Sequence, residues 1–395
     1  MKKKLLLLSY RSPFPLVSGG KIRIFQTIEI LSKFYTVDLV YVDEIKKEYQ
    51  ELNQYCNNVV RFSIGKMERI FNSIYHYLFS SMPLQGGYFY SGKMQKWIDR
   101  NIENYDTIYC IHIRTAAYVM KYSEIYRIID GVDAVSLNYY NKLKLESTCK
   151  RILYKLEYNR LCKYEEIVYS NFSKAILISD YDKSFLLNMK IKKNIKVIPE
   201  YARDIGYNPS IHIKDLAIAF MGLMRYEPNV NAVIYFINEI YPAVKEKYPL
   251  LRFRIIGGEP TKKIRDLNNR DGVEVLGFVN DPALILQEAA LIIAPMISGS
   301  GLQNKIIESM FLGKAVLTTK QGTFGLTKLT GNEIIVAEDT EEFIEKLIYY
   351  LDSKNRKELV EIGANARNYI CNNYGYESVE SALIKYISDK EKDLQ

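Results

Sequence analysis

A glycine- and serine-rich turn that leads into a short helix is the part of the sequence best suited to bind an anion. An apolar strand predicted at 291–295 is followed by the turn at 296–303, and a helix of about ten residues then runs to Gly313. Free backbone N–H groups and the positive end of the helix dipole lie at such a helix start. Lys305 falls in the first turn, where a cation is unfavourable without an anion, and Glu308 follows on the same face. The pattern suits a nucleoside diphosphate, with the lysine for phosphate and the carboxylate for ribose, but a capped helix with a surface ion pair fits the spacing equally well.

A second glycine turn follows the first predicted strand. Gly19 and Gly20 precede an amphipathic helix that carries Ile24, Ile28 and Leu31. Two glycines allow a ligand to approach the backbone closely, and the helix start offers N–H groups to an anion. A plain connecting loop is the alternative interpretation.

Short apolar runs alternate with helical stretches along all 395 residues. The predicted strands are 4–9, 37–43, 59–64, 107–113, 127–133, 175–180, 195–199, 217–222, 251–258, 273–278, 291–295, 315–319 and 333–337. Continuous apolar strands separated by helices are typical of parallel sheets covered on both faces. We therefore expect an α/β protein of two doubly wound, Rossmann-like domains, at 1–203 and 204–377. The terminal helix, at about 378–395, could pack back on the first domain.

The charge is unevenly distributed between the two halves. Residues 1–200 contain 31 Lys and Arg against 20 Asp and Glu, whereas residues 201–395 contain 23 against 26. Two surfaces with different partners are therefore expected. The five cysteines are scattered without metal-site spacing, which favours reduced thiols in a cytoplasm. The apolar run after the first three lysines is too short for a signal peptide. The sequence contains no run of about 18 apolar residues, so no membrane span is predicted.

Several motifs in order resemble one enzyme family. The run from Glu308 to Val316 (ESMFLGKAV) is similar to the signature of the retaining glycosyltransferases of group 4, which have the GT-B fold, and the preceding GLQNK resembles the branch that makes bacterial surface polysaccharides. Further similar segments lie at 220–232, 254–260, 277–279 and 363–374 in the second half, and at 129–139 and 179–182 in the first. The resemblance spans the whole chain. It implies two domains facing each other across a cleft and transfer of a sugar with retention of configuration.

The resemblance also implies residue roles. Glu308 would bind the donor ribose, while Arg225 and Lys305 would neutralise the leaving diphosphate. The remaining donor-binding positions are Gly19, Gly20, Gly222, Phe278, Val279, Ser300, Gly301 and Leu302. Ser300 is a departure, because family members commonly carry an acid there and a hydroxyl supplies no charge.

The first half offers candidates for the reacting groups. His112 follows the fourth strand, where relatives often place a histidine near the donor, and a strand-end histidine satisfied by its neighbours is the alternative. Asp130 and Asp133 end another strand and could orient an acceptor hydroxyl, although turn or cap carboxylates are as plausible. We expect no metal and no cofactor, because fixed cations and amides can stabilise the leaving anion. Asp180 and Asp182 are spelled like a metal motif but begin a helix, where aspartate is a common cap.

The acceptor is expected on the basic half. Basic residues lie along a predicted helix that also carries Leu153 and Leu156, namely Lys150, Arg151, Lys155, Arg160 and Lys163. Such a helix could rest on an anionic membrane surface, or it could simply be solvated. The predicted function is transfer from a nucleotide sugar to a glycan or lipid-linked glycan acceptor. The expected location is the cytoplasm, where the protein could lie on the inner face of the plasma membrane. The alternatives are a non-hydrolysing nucleotide-sugar epimerase and a non-catalytic partner subunit. No nucleic-acid-binding pattern is present in the sequence.

Overall fold

Two parallel sheets organise the chain. The computed structural model describes residues 2–16, 18–43, 49–145, 150–189, 191, 194–211, 213, 216–299 and 302–389. Contacts divide it into one unit that comprises the residues before Tyr201 and those from Glu380 onward, and a second unit, Tyr201–Val379. Each unit has its own sheet, and helices cover the sheet faces.

The first sheet has seven strands in the order β3-β2-β1-β4-β5-β6-β7. Its strands are β1 (Lys4–Ser9), β2 (Thr36–Asp43), β3 (Asn58–Ser63), β4 (Thr107–Ile111), β5 (Arg127–Asp130), β6 (Lys174–Leu177) and β7 (Ile195–Val197). All neighbouring strands are parallel. The four leucines of β1 are fully buried, because this central strand is covered on both faces. The strand order reverses between β1 and β4, so the switch point of this sheet lies there.

Ten helical segments lie within the described residues up to Glu200. Those of four residues or more are α1 (Gly19–Phe34), α2 (Lys66–Phe79), α3 (Leu84–Tyr88), α4 (Gly92–Asn101), α5 (Val135–Leu145), α6 (Lys150–Asn171) and α7 (Asp180–Asn188), with two 3₁₀ segments, Gln50–Gln54 and Ile113–Tyr118. The apolar core forms between these helices and the sheet.

The second sheet has six strands in the order β10-β9-β8-β11-β12-β13, again all parallel. Its strands are β8 (Ala217–Met221), β9 (Arg252–Ile256), β10 (Val273–Gly277), β11 (Leu291–Ala294), β12 (Val316–Thr319) and β13 (Ile335–Ala337). Its switch point lies between β8 and β11. The two doubly wound α/β units confirm the predicted fold class.

The helices of the second unit connect these strands. They are α8 (Glu227–Tyr235), α9 (Tyr241–Lys247), α10 (Lys262–Arg265), α11 (Pro282–Glu288), α12 (Asn304–Phe311), α13 (Lys320–Thr323), α14 (Thr340–Leu351), α15 (Arg356–Tyr374) and α16 (Tyr376–Ser388). The last of these crosses the boundary between the units, since residues from Glu380 onward belong to the first. Within the described residues, no helix is both long and apolar enough to cross a membrane.

All thirteen predicted strands form, and several end earlier than predicted. β4 ends at Ile111 and β5 at Asp130, whereas the apolar pattern extended both by two or three residues. His112 and Val132 have positive φ values, so the chain leaves the sheet at these points. The segments at these strand ends carry the candidate side chains of the first unit.

The C-terminal helical stretch is two helices rather than one. It breaks at Gly375, between α15 and α16. A Cβ at Gly375 would lie 2.3 Å from the carbonyl oxygen of Cys371, so the bend requires glycine. After the break, Lys33 pairs with Glu380 at 2.9 Å, and the Tyr386 hydroxyl donates to the carbonyl of Ala175. These contacts attach the end of the chain to the first unit.

Candidate functional site

The loop before α12 is fixed by side chains from the neighbouring strand. The hydroxyl of Thr318 donates to the carbonyl of Ala294 at 2.6 Å, and that of Thr319 donates to the carbonyl of Met296 at 2.5 Å. The loop lies at the carboxyl end of β11, beside the switch point, where doubly wound sheets bind ligands. The side chain of Gln303, which precedes the helix, makes no cap hydrogen bond to it. The first backbone N–H groups of α12 are therefore not capped by the Gln303 side chain.

Lys305 lies in the first turn of α12, as predicted, and it is largely buried there. Its ammonium donates to the side-chain oxygen of Gln303 at 2.8 Å, which is a neutral partner. A Cβ at Gly222 would lie 3.3 Å from the Cε atom of Lys305, so the glycine makes room for the lysine. Burial lowers the pKa of Lys305 to about 8, and the nearby Glu308 carboxylate acts in the opposite direction.

Glu308 is 7% exposed on the same helix. Its Oε1 accepts a hydrogen bond of 2.9 Å from Nε of Arg203, and a second, charge-assisted one from the same guanidinium. The Arg203 side chain is 41% exposed, so it can move more freely than the carboxylate. A ligand hydroxyl at Glu308 would share the carboxylate with Arg203 or displace it.

Three glycine-containing strand ends form the edge next to Lys305. Gly257 has a φ of +148°, and a Cβ there would lie 1.7 Å from the carbonyl oxygen of Gly222, so the ends of β8 and β9 touch through backbone alone. The end of β10 follows, and there Phe278 is 77% exposed. An exposed aromatic ring at the carboxyl end of a parallel strand is available to stack on a planar group.

The other donor-side candidates are distributed around this edge. Arg225 is exposed and pairs with Glu259 at 2.7 Å, so its charge is partly balanced within the unit. Val279 and Leu302 are half-buried against the core of the second unit. Ser300 and Gly301 lie outside the described residues.

The first unit carries a second cluster at its own switch point, where β1 and β4 end. A Cβ at Gly20 would lie 2.7 Å from Nη2 of Arg11 and 2.9 Å from the hydroxyl of Tyr10. The predicted helix α1 begins at Gly19, and its cap residue, Ser18, makes no side-chain cap hydrogen bond. An arginine therefore lies against the positive end of a helix, an arrangement that favours an anion.

His112 is buried, and the centre of its ring lies 5.0 Å from the centre of the Tyr10 ring. Its backbone is in a strained conformation, with a φ of +71°. Its Nδ1 accepts a hydrogen bond from the backbone N–H of Arg114 at 3.3 Å, and its Nε2 lies 3.8 Å from Oδ1 of Asp133. Burial, together with the charges of Arg114 and Arg11, lowers the pKa of His112 well below its usual value. The imidazole is therefore neutral at neutral pH, and because Nδ1 accepts a hydrogen bond, its proton lies on Nε2, which faces Asp133.

Asp133 lies on the accessible side of this cluster. Its side chain is 36% exposed, and its Oδ2 accepts a hydrogen bond of 2.7 Å from the amide of Asn138. Burial of the carboxyl raises its pKa, whereas Asn138 and Arg114 act in the opposite direction. The structure thus brings Asp133 and His112 together.

Asp130 does not fit the role predicted for it. It is fully buried, and its Oδ2 accepts hydrogen bonds of 2.9 Å from Arg23 and from the hydroxyl of Tyr109. Its Oδ1 accepts from the backbone N–H of Val132. Because both oxygens are used inside the domain, Asp130 is a structural residue and cannot orient an acceptor hydroxyl.

Sequence reasoning missed three arginines that shape these clusters. Arg11 and Arg114 lie 4.5 and 4.6 Å from the centre of the Tyr10 ring, and Arg203 binds Glu308. Arg11 follows the first strand by two residues, and Arg114 follows the fourth by three, so position relative to strand ends was a usable signal. Arg203 comes from an irregular segment and had none.

The cavity of about 470 Å³ in the second unit is elsewhere. It is lined by Tyr207, Gln287, Lys314 and Arg356, among others. Lys314 precedes β12, so this cavity lies at the amino end of the strands, away from the start of α12. The ammonium of Lys314 donates to the carbonyls of Gln287 and Ala289, which gives it a structural role. Among the described residues, no group of three or more His, Cys, Asp or Glu could hold a metal ion.

Part of the second unit matches a known protein family. Residues 215–353 match the family described as Glycosyl transferases group 1. That segment is about a third of the chain and contains β8, the switch point and α12. A curated relative, an uncharacterized 44.6 kDa protein in the cps region of Klebsiella pneumoniae, is 24% identical over 97% of this chain and 99% of its own length.

Solved glycosyltransferase structures share the fold over nearly the whole chain. HepE of Anabaena, in complex with UDP and glucose, has a TM-score of 0.67 at 15% identity, covering 98% of this chain and 100% of its own. Sucrose-phosphate synthase from Thermosynechococcus elongatus has a TM-score of 0.72 at 13% identity, covering 97% and 98%. TarM of S. aureus, in complex with Fondaparinux, alpha-GlcNAc-glycerol and UDP, has a TM-score of 0.65 at 12% identity, covering 98% and 100%. The fold is that of the GT-B glycosyltransferases.

Proposed function

We propose that the chain is a retaining glycosyltransferase that moves a sugar from a nucleoside-diphosphate donor to a glycan or lipid-linked glycan acceptor in bacterial surface polysaccharide synthesis. The second unit holds the donor, and the first unit supplies the acceptor side. The match of residues 215–353 to a glycosyltransferase family supports the reaction class. The cps-region relative supports the polysaccharide role.

The observation that carries the donor site is the burial of Lys305 at the start of α12. A buried ammonium with a neutral hydrogen-bond partner, at the positive end of a helix, is electrostatically unfavourable. A diphosphate placed there would relieve this cost and bind tightly for the same reason. We assign Glu308, one turn later, to accept hydrogen bonds from ribose hydroxyls, and the exposed ring of Phe278 to stack on the base.

In the proposed reaction, the bond between the anomeric carbon and the diphosphate oxygen breaks, and its electron pair leaves with the nucleoside diphosphate. Lys305, Arg225 and the start of α12 stabilise that anion, without a metal or cofactor. With retention, the acceptor oxygen bonds to the face that the diphosphate vacates. The acceptor proton is released in this step and passes to an oxygen of the departing diphosphate, and we assign the neutral imidazole of His112, beside Asp133, to assist this transfer.

The remaining predicted residues complete the proposal. Gly19 and Gly20 are assigned to the donor phosphates, together with Arg11, which the sequence did not single out. Gly222, Val279, Ser300, Gly301 and Leu302 are assigned to the donor pocket. The proposed site of action is the cytoplasmic face of the plasma membrane, where a lipid-linked acceptor would be found.

A donor panel tests the function. UDP-, GDP- and dTDP-sugars are supplied to the intact protein, with UDP-sugars first because HepE and TarM were solved with UDP. Thermal stabilisation reports binding, and release of the nucleoside diphosphate with a lipid-linked glycan acceptor reports transfer. We expect one donor class to stabilise the protein and to be consumed only when acceptor is present.

Matched variants connect the result to the site. Glu308→Gln should weaken donor binding by about tenfold to a hundredfold, because hydrogen bonds to charged groups contribute about 1.5–3 kcal/mol. Glu338→Gln, which changes an exposed carboxylate in the same unit, should have no effect. Binding without transfer would indicate a partner subunit, and donor epimerisation without acceptor would indicate an epimerase; either outcome overturns the proposal.

A further inference from the structure

Helix α2 in the first unit exposes its apolar face to solvent. Seven apolar residues along one stripe of it are between 42% and 78% exposed, namely Met67, Ile70, Phe71, Ile74, Tyr75, Leu78 and Phe79. They recur at the three- and four-residue spacing of a single helix face. A surface helix normally turns such a face toward the core, so this face requires a different explanation.

The opposite, polar face of α2 is the one that packs inward. Arg69 is 3% exposed, donates to the carbonyl of Ile64 and lies 5.2 Å from the ring centre of Phe89. Ser73 donates to the carbonyl of Leu84 at 2.7 Å, and Asn72 donates to the carbonyl of Tyr90. These bonds fix the rotation of the helix about its axis. The apolar stripe is therefore held outward by the fold.

The amino half of α6 continues this surface. Arg160 of α6 donates to the carbonyls of Ser80 and Met82 directly after α2, and its guanidinium lies 4.1 Å from the ring centre of Tyr77. Beyond this contact, α6 exposes Ile152, Leu153 and Leu156, each by more than half. Apolar side chains of two adjacent helices thus face solvent on one side of the first unit.

Exposed cations accompany the apolar side chains. Those of α5 and the amino half of α6 are Lys142, Lys144, Lys150, Arg151 and Lys155. The described residues of α5, and of α6 up to Leu156, include no acid. The first acid of α6, Glu157, is buried and accepts from the backbone N–H of Leu84. The surface is therefore apolar and positively charged at once.

We propose that α2 and the amino half of α6 form a docking face for a bilayer that contains anionic lipids. The apolar stripe enters the interface, and the cations of α5 and α6 contact the headgroups. A second copy of the chain fits less well, because a two-fold contact through this face would bring the same cations together. The inference goes beyond the proposed function, because it assigns a surface that takes no part in sugar transfer.

Vesicle flotation tests the docking face. The intact protein is mixed, at roughly physiological salt, with two kinds of vesicle. One kind contains phosphatidylcholine alone, and the other also contains about 30% phosphatidylglycerol. We expect binding to the anionic vesicles at least tenfold tighter than to neutral ones. The double variant Phe71→Asp/Leu78→Asp should lose this binding by more than tenfold, and Arg151→Glu/Lys155→Glu should remove the preference for anionic lipid.

Controls separate docking from misfolding and from catalysis. Leu250→Asp replaces an apolar residue that is 85% exposed in the second unit, and it should bind vesicles like the native protein. All variants should keep the native circular dichroism spectrum and the native donor-induced stabilisation, since they lie outside the donor site. Equal affinity for both vesicle types, or loss of binding in Leu250→Asp alone, would overturn the proposal. A concentration-dependent dimer that Phe71→Asp/Leu78→Asp abolishes would assign the face to a second copy instead.

Discussion

At the scale of single residues, Lys305 is the side chain whose charge the proposed donor site depends on. Its pKa of about 8 in the free protein means that the ammonium, the form that pairs with a diphosphate, is lost as the pH rises through 8. Between pH 7 and pH 9 the charged fraction falls about tenfold. We therefore predict that UDP binding weakens by up to about tenfold over this interval, as measured by titration calorimetry.

Two variants check this pH dependence. Lys305→Met should bind UDP weakly and with little change between pH 7 and pH 9, because the titrating group is gone. Lys320→Met, which changes a lysine that is 70% exposed in the same unit, should behave like the native protein. A native affinity that stays constant or rises with pH would contradict the account.

Two aspartates three residues apart should respond in opposite ways. Asp130→Asn leaves Arg23 buried without its carboxylate, and we expect a loss of about 3–5 kcal/mol in the free energy of unfolding. Asp133→Asn, at a half-exposed position, should keep its stability within about 1 kcal/mol and lower the rate of transfer. Urea denaturation and turnover measurements separate the two. A stable, inactive Asp130→Asn would restore the acceptor role that the structure denies it.

The same pair shows why residue type and spacing could not settle their roles. Asp130 ends β5 and Asp133 follows it, and the sequence shows that position but not which side chain turns inward. Arg23, the partner of Asp130, lies more than 100 residues away. Lys305 and Glu308 were predictable because their spacing within one helix fixes their relative position, whereas Arg203 reaches Glu308 only through the tertiary fold.

At the scale of elements, the edge of the second sheet depends on glycines at strand ends. Gly257→Ala would place a Cβ 1.7 Å from the carbonyl oxygen of Gly222, at a φ of +148° that other residues rarely adopt. We predict that the free energy of unfolding falls by at least about 2 kcal/mol and that donor binding is lost as well. Gly258→Ala is the matched control, because its Cβ would meet only the ring of Phe278, at 3.8 Å. Equal stability of the two variants by chemical denaturation would contradict the close approach of β8 and β9.

Strands and helices differ in how far the sequence specified them. Every strand coincides with a predicted apolar run, and the central strands are the clearest because they are buried on both faces. Helix α2 was not singled out, because its amphipathic pattern is that of an ordinary surface helix. Only the inward hydrogen bonds of Arg69 and Ser73 reveal that the apolar face is outward.

At the scale of the whole molecule, the chain passes from the first unit through the second, and its last residues belong to the first unit again. Leu383 and Ile387 of α16 are buried, in the part of the chain that belongs to the first unit. A chain that ends at Val379 should lose about 3–6 kcal/mol of stability in the first unit, at about 1.5–3 kcal/mol for each of the two buried side chains. Hydrogen exchange should then quicken in β6 and β7 while the second sheet stays protected. Faster exchange confined to the second unit would contradict this attachment.

The central claim is that Lys305 and Glu308, at the start of α12, bind a nucleoside diphosphate, and titration calorimetry of the intact protein with UDP, GDP and dTDP tests it most directly. One nucleotide should bind, and both Lys305→Met and Glu308→Gln should weaken that binding by at least about tenfold. Lys320→Met and Glu338→Gln should leave it unchanged. If no nucleotide binds the native protein, or if one binds equally well after both substitutions in α12, the account is wrong.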